Sequence, residues 1–248
     1  MKKLLFFIFI LGSITQASSI NLALAANVSY AIDDLILAFH KQHPQIKVNV
    51  TLGSSGKLTT QVMHGAPYDI LMSANMNYPA KLYERKLTLT KPLIYAKGSL
   101  ILLSNKKRDF TKGLHLLEDK SIKTIAVANP KTAPYGIATK EFLRNAKLYN
   151  TLQKKFVYGE SVSQTVVYTA TVTDIGFIAK SALYSPKLQE FMQRKYWIDL
   201  DTKLYTPIKQ GIVLLKHAQN NAEAKLFYHF ILSENAKQIF QKYGYLTP

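Results

Sequence analysis

The chain has no cysteine among its 248 residues, which excludes disulfides and thiolate metal sites. Stability must therefore come from the core alone. Hydrophobic residues make up 48% of the chain, enough to fill one large domain or two modest lobes. Acidic side chains are also scarce: 15 Asp and Glu stand against 32 Lys and Arg, for a formal charge of +17. The cations are scattered, and the longest run is only Lys106, Lys107 and Arg108, which does not describe a nucleic-acid surface. The excess charge fits either a solvated basic surface or the steering of a small anion, and charge alone does not separate the two. Tryptophan occurs once, at Trp197; such an aromatic belongs more often to core or surface than to a ligand cage. Beyond the first residues no apolar run approaches bilayer-spanning length.

The N-terminus carries an apolar run behind two lysines. MKKLLFFIFILGSITQASS opens with two lysines, continues with apolar residues 4–11 and ends in small residues, the layout of a secretory signal peptide. The run is too short to span a bilayer comfortably. Ala17 and Ser19 fit the small-x-small cleavage rule, so the cut is expected after Ser19. A second option at residues 23–25 would remove INLALAA, which is needed as a first strand. Losing Lys2 and Lys3 with this segment leaves +15. The expected product is a soluble exported protein of the periplasm, where nucleic acid is not an expected partner.

From residue 20 the pattern alternates between strand and helix. INLALAAN (20–27) reads as a buried strand. Val28, Ala31, Ile32, Leu35, Ile36 and Phe39 then fall at helical spacing, with Asn27 expected as the N-cap. IKVNVTL (46–52) alternates as a strand, GSSG leads into a short helix bearing Leu58 and Val62, and YDILMSA (68–74) reads as a third strand. Residues 92–108 form a long apolar run that can cross to a second lobe. A second series follows: strand 123–129, turn PKTAPYG, a helix bearing Phe142 and Leu143, then GESV at 159–162, another helix, and strand 173–179. PIKQGIVLLK (207–216) reads as a second crossing strand, and two amphipathic helices close the chain. The expected fold is α/β with two lobes. Each lobe is a mostly parallel sheet flanked by helices, and two crossing strands join them. The first lobe comprises residues 20–97 and 209–248, and the second residues 98–208.

GSSGKLTTQV (53–62) is the most suggestive stretch. A Walker A loop needs a glycine five positions before the Gly-Lys pair and a Ser or Thr after it. Thr51 and Leu58 occupy those positions, so a nucleotide is excluded. A strand end, small residues and a helix start remain. First-turn N–H groups and the helix dipole favour an anion there, and the Ser54 and Ser55 hydroxyls can add donors. The plainer reading is that one of these serines simply caps the helix. The pattern recurs at Asn27, at residues 133–136 and at residues 159–162. In a parallel sheet such turns gather at the strands' carboxyl ends, where ligands bind.

Other chemistry is poorly supported. His40 and His43 sit at a polar helix end with no carboxylate at ligand spacing, which reads as surface histidine rather than a metal site. There is no G-x-S-x-G elbow, and no Ser/His/Asp set can be located. An exported serine hydrolase stays open as the competing class.

AAN (25–27), GSSGKLTTQV, GAPYDILMSAN (65–75), APYG (133–136), GESVSQ (159–164), DIGFIAKSAL (174–183) and IFQKYGY (239–245) together resemble the periplasmic molybdate-binding proteins of ABC transporters. The likeness covers nearly all of the chain past the leader. It implies a two-lobed, non-enzymatic receptor that closes on molybdate or tungstate and passes it to a membrane permease driven by an ATPase. A monomer is expected, with no cofactor and no metal other than that of the oxoanion. The resemblance carries binding roles onto Ala26, Asn27, Ser55, Tyr135 and Val162, to which Ser54 is added as a neighbouring donor. One branch of the family has a tyrosine near the end of GFIA where this chain has Ala179, so the Tyr135 hydroxyl is expected in its place. A fully deprotonated oxoanion suits a site made of donors alone. Hydrogen phosphate in such a site would lose on the order of 1–3 kcal/mol for its unmatched proton. Lys57 is expected to be a bystander and Glu160 to face away from the cleft. Sulfate or another oxoanion in the same fold is the alternative ligand, since it differs from molybdate mainly in size.

Overall fold

A computed structural model describes residues 19–248. Residues 1–18 of the expected leader (1–19) lie outside the described residues. Ser19, the last residue of the expected leader, pairs with Lys47 as the first residue of β1 (Ser19–Ala25).

Two five-stranded sheets organise the chain. The first contains β1, β2 (Lys47–Gly53), β3 (Ile70–Ser73), β4 (Leu93–Gly98) and β10 (Ile208–Leu214), in the order β2-β1-β3-β10-β4. The second contains β5 (Leu100–Leu103), β6 (Ile125–Ala128), β7 (Phe156–Gly159), β8 (Ile175–Ala179) and β9 (Trp197–Asp199), in the order β7-β6-β8-β5-β9. In each sheet one strand opposes the rest: β10 runs against β3 and β4, and β5 against β8 and β9. These reversed strands are the two that arrive from the other lobe. Only Ser99 separates β4 from β5, whereas residues 200–207 link β9 to β10.

The central strands β1, β3, β6 and β8 are buried on both faces, which is why they read as nearly unbroken apolar runs. Helices cover them: α1 (Ile32–His40), α2 (Ser55–Met63), α3 (Asn77–Glu84), α7 (Ala222–Ile231) and α8 (Glu234–Lys242) with the first sheet, and α4 (Pro134–Asn145), α5 (Tyr149–Leu152) and α6 (Val162–Thr171) with the second. The core of the second lobe also takes in Ala25 and Ala74, from strand ends of the first. Apolar packing therefore continues across the cleft. Past α8, Leu246 pairs with Lys97 beside the crossing.

Two expectations change in detail. Asn27 does not cap an α-helix; it lies inside a 3-10 turn, Ala26–Tyr30, and α1 begins only at Ile32. The three-residue β9 and the helix α3 had no counterpart in the sequence reading.

Candidate functional site

All six residues singled out by sequence line one small cavity between the lobes: Ala26, Asn27, Ser54, Ser55, Tyr135 and Val162. Its remaining wall is Ala25, Gly53, Ala74, Ala133 and Pro134. The cavity together with its open mouth holds about 200 Å³ of empty space, and no lining side chain is charged.

Each lobe supplies two starts of structure. β1 runs into the turn bearing Ala26 and Asn27, and β2 runs into α2 at Ser54 and Ser55. In the second lobe, Ala133 precedes α4, whose first turn carries Tyr135, and α6 opens at Val162. The first N–H groups of these helices have no acceptor within their own helix, and their dipoles place partial positive charge at the cavity. The N–H of Gly56 is already committed to the carbonyl of Thr132 across the cleft, at 2.9 Å.

The hydroxyls follow a consistent polarity. Ser54 occupies the N-cap of α2 but makes no side-chain cap bond, and its buried Oγ has no partner. Ser55 Oγ accepts from the N–H of Ala74 at 2.9 Å, so its own hydrogen is left for another acceptor. The plain capping role weighed for these serines is thus not what the fold uses; Ser161 takes that role at α6, accepting from the N–H of Gln164. The Tyr135 hydroxyl is buried and has no partner. Burial drives the Tyr135 pKa well above the ordinary tyrosine value, so it stays a protonated donor at neutral pH. Ala179, at the end of β8, is fully buried, and Tyr135 is the tyrosine that lines the cavity.

Asn27 departs from a donor-only site. Its Nδ2 donates to Gln210 Oε1 at 3.0 Å and to the Tyr245 hydroxyl at 2.8 Å, while its buried Oδ1 has no partner. The turn is also pinned from several directions. Ser163 and Ser181, both in the second lobe, donate to the carbonyls of Ala26 and Asn27 at 2.7 and 2.9 Å. Tyr245 donates to the Asn27 carbonyl at 2.8 Å.

Sequence reasoning missed these four supporting residues. Gln210 could have been found as a polar residue leading directly into the apolar run GIVLL, and Tyr245 as part of IFQKYGY. Ser163 and Ser181 lie within the quoted stretches GESVSQ and DIGFIAKSAL, but nothing local marks them as donors to the other lobe. Lys57, expected as a bystander, does not line the cavity, whereas Glu160, expected to face away from the cleft, meets Lys57 across it, Nζ to Oε1, at 2.7 Å. Both are about half exposed (54% and 55%), so the pair contributes no more than about 1 kcal/mol.

Among the described residues no group of three or more His, Asp or Glu side chains could hold a metal ion. His40 instead bonds the carbonyl of Ile46 at 2.8 Å.

Comparison with known proteins gives the chain its family. Residues 20–246 match the model of the bacterial extracellular solute-binding protein family. The chain is 34% identical to the molybdate-binding protein ModA of Rhodobacter capsulatus, over 93% of this chain and 89% of that one. It is 30% identical to ModA of Azotobacter vinelandii, over 95% and 93%. The solved structure of the Azotobacter vinelandii periplasmic molybdate-binding protein superposes with a TM-score of 0.84 at 29% identity, covering 92% of this chain and 99% of that one. The chain therefore belongs to the bacterial extracellular solute-binding protein family.

Proposed function

We propose that this protein is the periplasmic receptor of an ABC transporter and captures molybdate or tungstate in the cavity between its lobes. One observation carries the reading. The cavity has no charged lining, yet its Ser55 hydroxyl already accepts a backbone N–H, and the Ser54 and Tyr135 hydroxyls are buried without partners. Leaving such groups unmatched costs about 1–3 kcal/mol each. An oxoanion offering only acceptors would satisfy all three, along with the helix-start N–H groups. Each charge-assisted bond would then contribute about 1.5–3 kcal/mol. Among macromolecules, a membrane permease and its ATPase are the expected partners. The receptor acts as a monomer without catalysis, and reaches the periplasm through a cleaved leader.

A thermal-shift titration tests this. A ligand that binds only the folded state raises the melting temperature. Micromolar molybdate or tungstate should do so, and hydrogen phosphate should not. A shift with sulfate and none with molybdate or tungstate would replace the ligand. Turnover of ester substrates that disappears in Ser55→Ala would replace the whole class with a hydrolase.

A further inference from the structure

Gln210 is a fully buried polar side chain in an apolar strand. It lies where the pairing of β10 with β4 shifts register, between Gln210 and Gly211, next to the crossing between lobes. Its amide faces two site residues at once. Oε1 accepts from Asn27 Nδ2 at 3.0 Å and from the Tyr95 hydroxyl at 3.5 Å. Nε2 donates to the Ile208 carbonyl at 3.3 Å and also lies near Tyr135. Both groups crowd one face of Gly98: a Cβ there would sit 2.1 Å from the Tyr135 hydroxyl and 2.8 Å from Gln210 Nε2. The approach falls short of a full hydrogen bond.

This arrangement has a definite polarity. An amide N–H on the side of the Tyr135 oxygen turns the phenol's hydrogen elsewhere, leaving it for a ligand. The same orientation uses Asn27 Nδ2 internally and leaves Oδ1 over. Turning the Asn27 amide alone would set its Oδ1 against Gln210 Oε1, two acceptors in contact. Turning both amides would cure that, but Gln210 Oε1 would then face Tyr135 and take its hydrogen. One glutamine therefore lets either Tyr135 or the Asn27 amide donate to a ligand, and not both.

Resting on the oxoanion reading above, we propose that Gln210 is the positioning residue that decides which of these two groups donates to the bound oxoanion, and that it selects Tyr135. The Asn27 side chain then acts as a strut, and residue 27 reaches the anion through its backbone N–H.

The test uses molybdate titration calorimetry on the full chain. The proteins are the parent, Gln210→Met, Tyr135→Phe, the double variant and Gln210→Glu, with the melting temperature of each unliganded protein as the folding control. Tyr135→Phe should weaken binding about tenfold or more and Gln210→Met by a smaller but clear factor, and the double variant should be no weaker than Tyr135→Phe, because Gln210 acts on the anion only through the Tyr135 hydroxyl. In Gln210→Glu the carboxylate takes the Tyr135 hydrogen and places a negative charge near the anion. Its affinity should fall as pH rises from about 6 to about 9, while the parent's stays flat. The titratable groups around position 210 are the phenols of Tyr95, Tyr135, Tyr205 and Tyr245. Burial raises all four above the ordinary tyrosine range, so they do not charge in that window. Parent-like binding by Gln210→Met, losses that multiply in the double variant, or a Gln210→Glu affinity independent of pH each overturn this inference alone. A parent that binds no molybdate, tungstate or sulfate overturns the oxoanion reading and this inference with it.

Discussion

Two places in this molecule look able to attract an anion, and they differ in almost every respect. One is an open groove on the second lobe with about 1350 Å³ of empty space, lined by Lys131, Lys140 and Arg144 together with Tyr149 and Tyr158. The other is the cavity at the cleft, with about 200 Å³ and no charged lining. Counting cations selects the groove. Counting oriented, unmatched donors selects the cavity. In the groove the cations are solvated or rest on an aromatic face: Arg144 and Lys140 lie 5.3 and 5.9 Å from the centre of the Tyr149 ring. Nothing there is buried and waiting. In the cavity the donors are fixed by backbone and packing, so an anion does not have to reorganise them. Polarity imposed by the fold, more than charge, marks a site for a small anion.

This contrast can be broken at several points. The largest effect is expected from Gly56→Ala. A Cβ at Gly56 would lie 2.8 Å from the Thr132 carbonyl and 2.7 Å from the Tyr78 hydroxyl, which forces the lobes apart. Apparent affinity should drop on the order of 100-fold because the closed state is depopulated. Calorimetry checks this, with an unchanged melting temperature for the free protein. Next come Ser55→Ala and Tyr135→Phe. Each removes a charge-assisted donor, so molybdate affinity should fall roughly 10- to 100-fold without unfolding. If both variants bind like the parent, the cavity is not the site. Lys57→Ala should cost no more than about fivefold, and the loss should shrink as salt is added. The smallest equilibrium effect belongs to the groove. Replacing Lys131, Lys140 and Arg144 together by Gln should leave affinity within about twofold and slow association only at low ionic strength, as read by stopped-flow. A tenfold loss of affinity there would reverse the comparison.

The fold was legible because its signals are local. Apolar runs such as LILL and IAVA can be buried only in central strands, and small polar turns before helical periodicity mark the strand ends. Five of the six cavity residues, Ala26, Asn27, Ser55, Tyr135 and Val162, were reached through the family resemblance of their ordered motifs, and Ser54 was added as a neighbouring donor. What escaped depends on distance. That Ser163 and Ser181 donate to carbonyls of the first lobe is a fact of lobe closure, and no spacing encodes it. The Lys57 and Glu160 pair is similar: each lies at a predicted turn, but only closure brings them together. Asn27 was expected to cap a helix because Asn often does. Its amide is instead drawn to Gln210 and Tyr245, and the backbone there takes up a 3-10 turn. The short strand β9 was hidden because three residues cannot display a period.

The bonds between Asn27 and Tyr245 join residues 218 positions apart. Contacts of such separation form late in folding, after the loop-closure cost has been met by nearer ones. A chain made or exported only as far as α8 would contain every cavity residue and both sheets, yet its Asn27 turn would lack one of its fastenings. The final ordering of the Asn27 turn would then wait for the last residues of the polypeptide, while Gln210, Ser163 and Ser181 hold the rest of it.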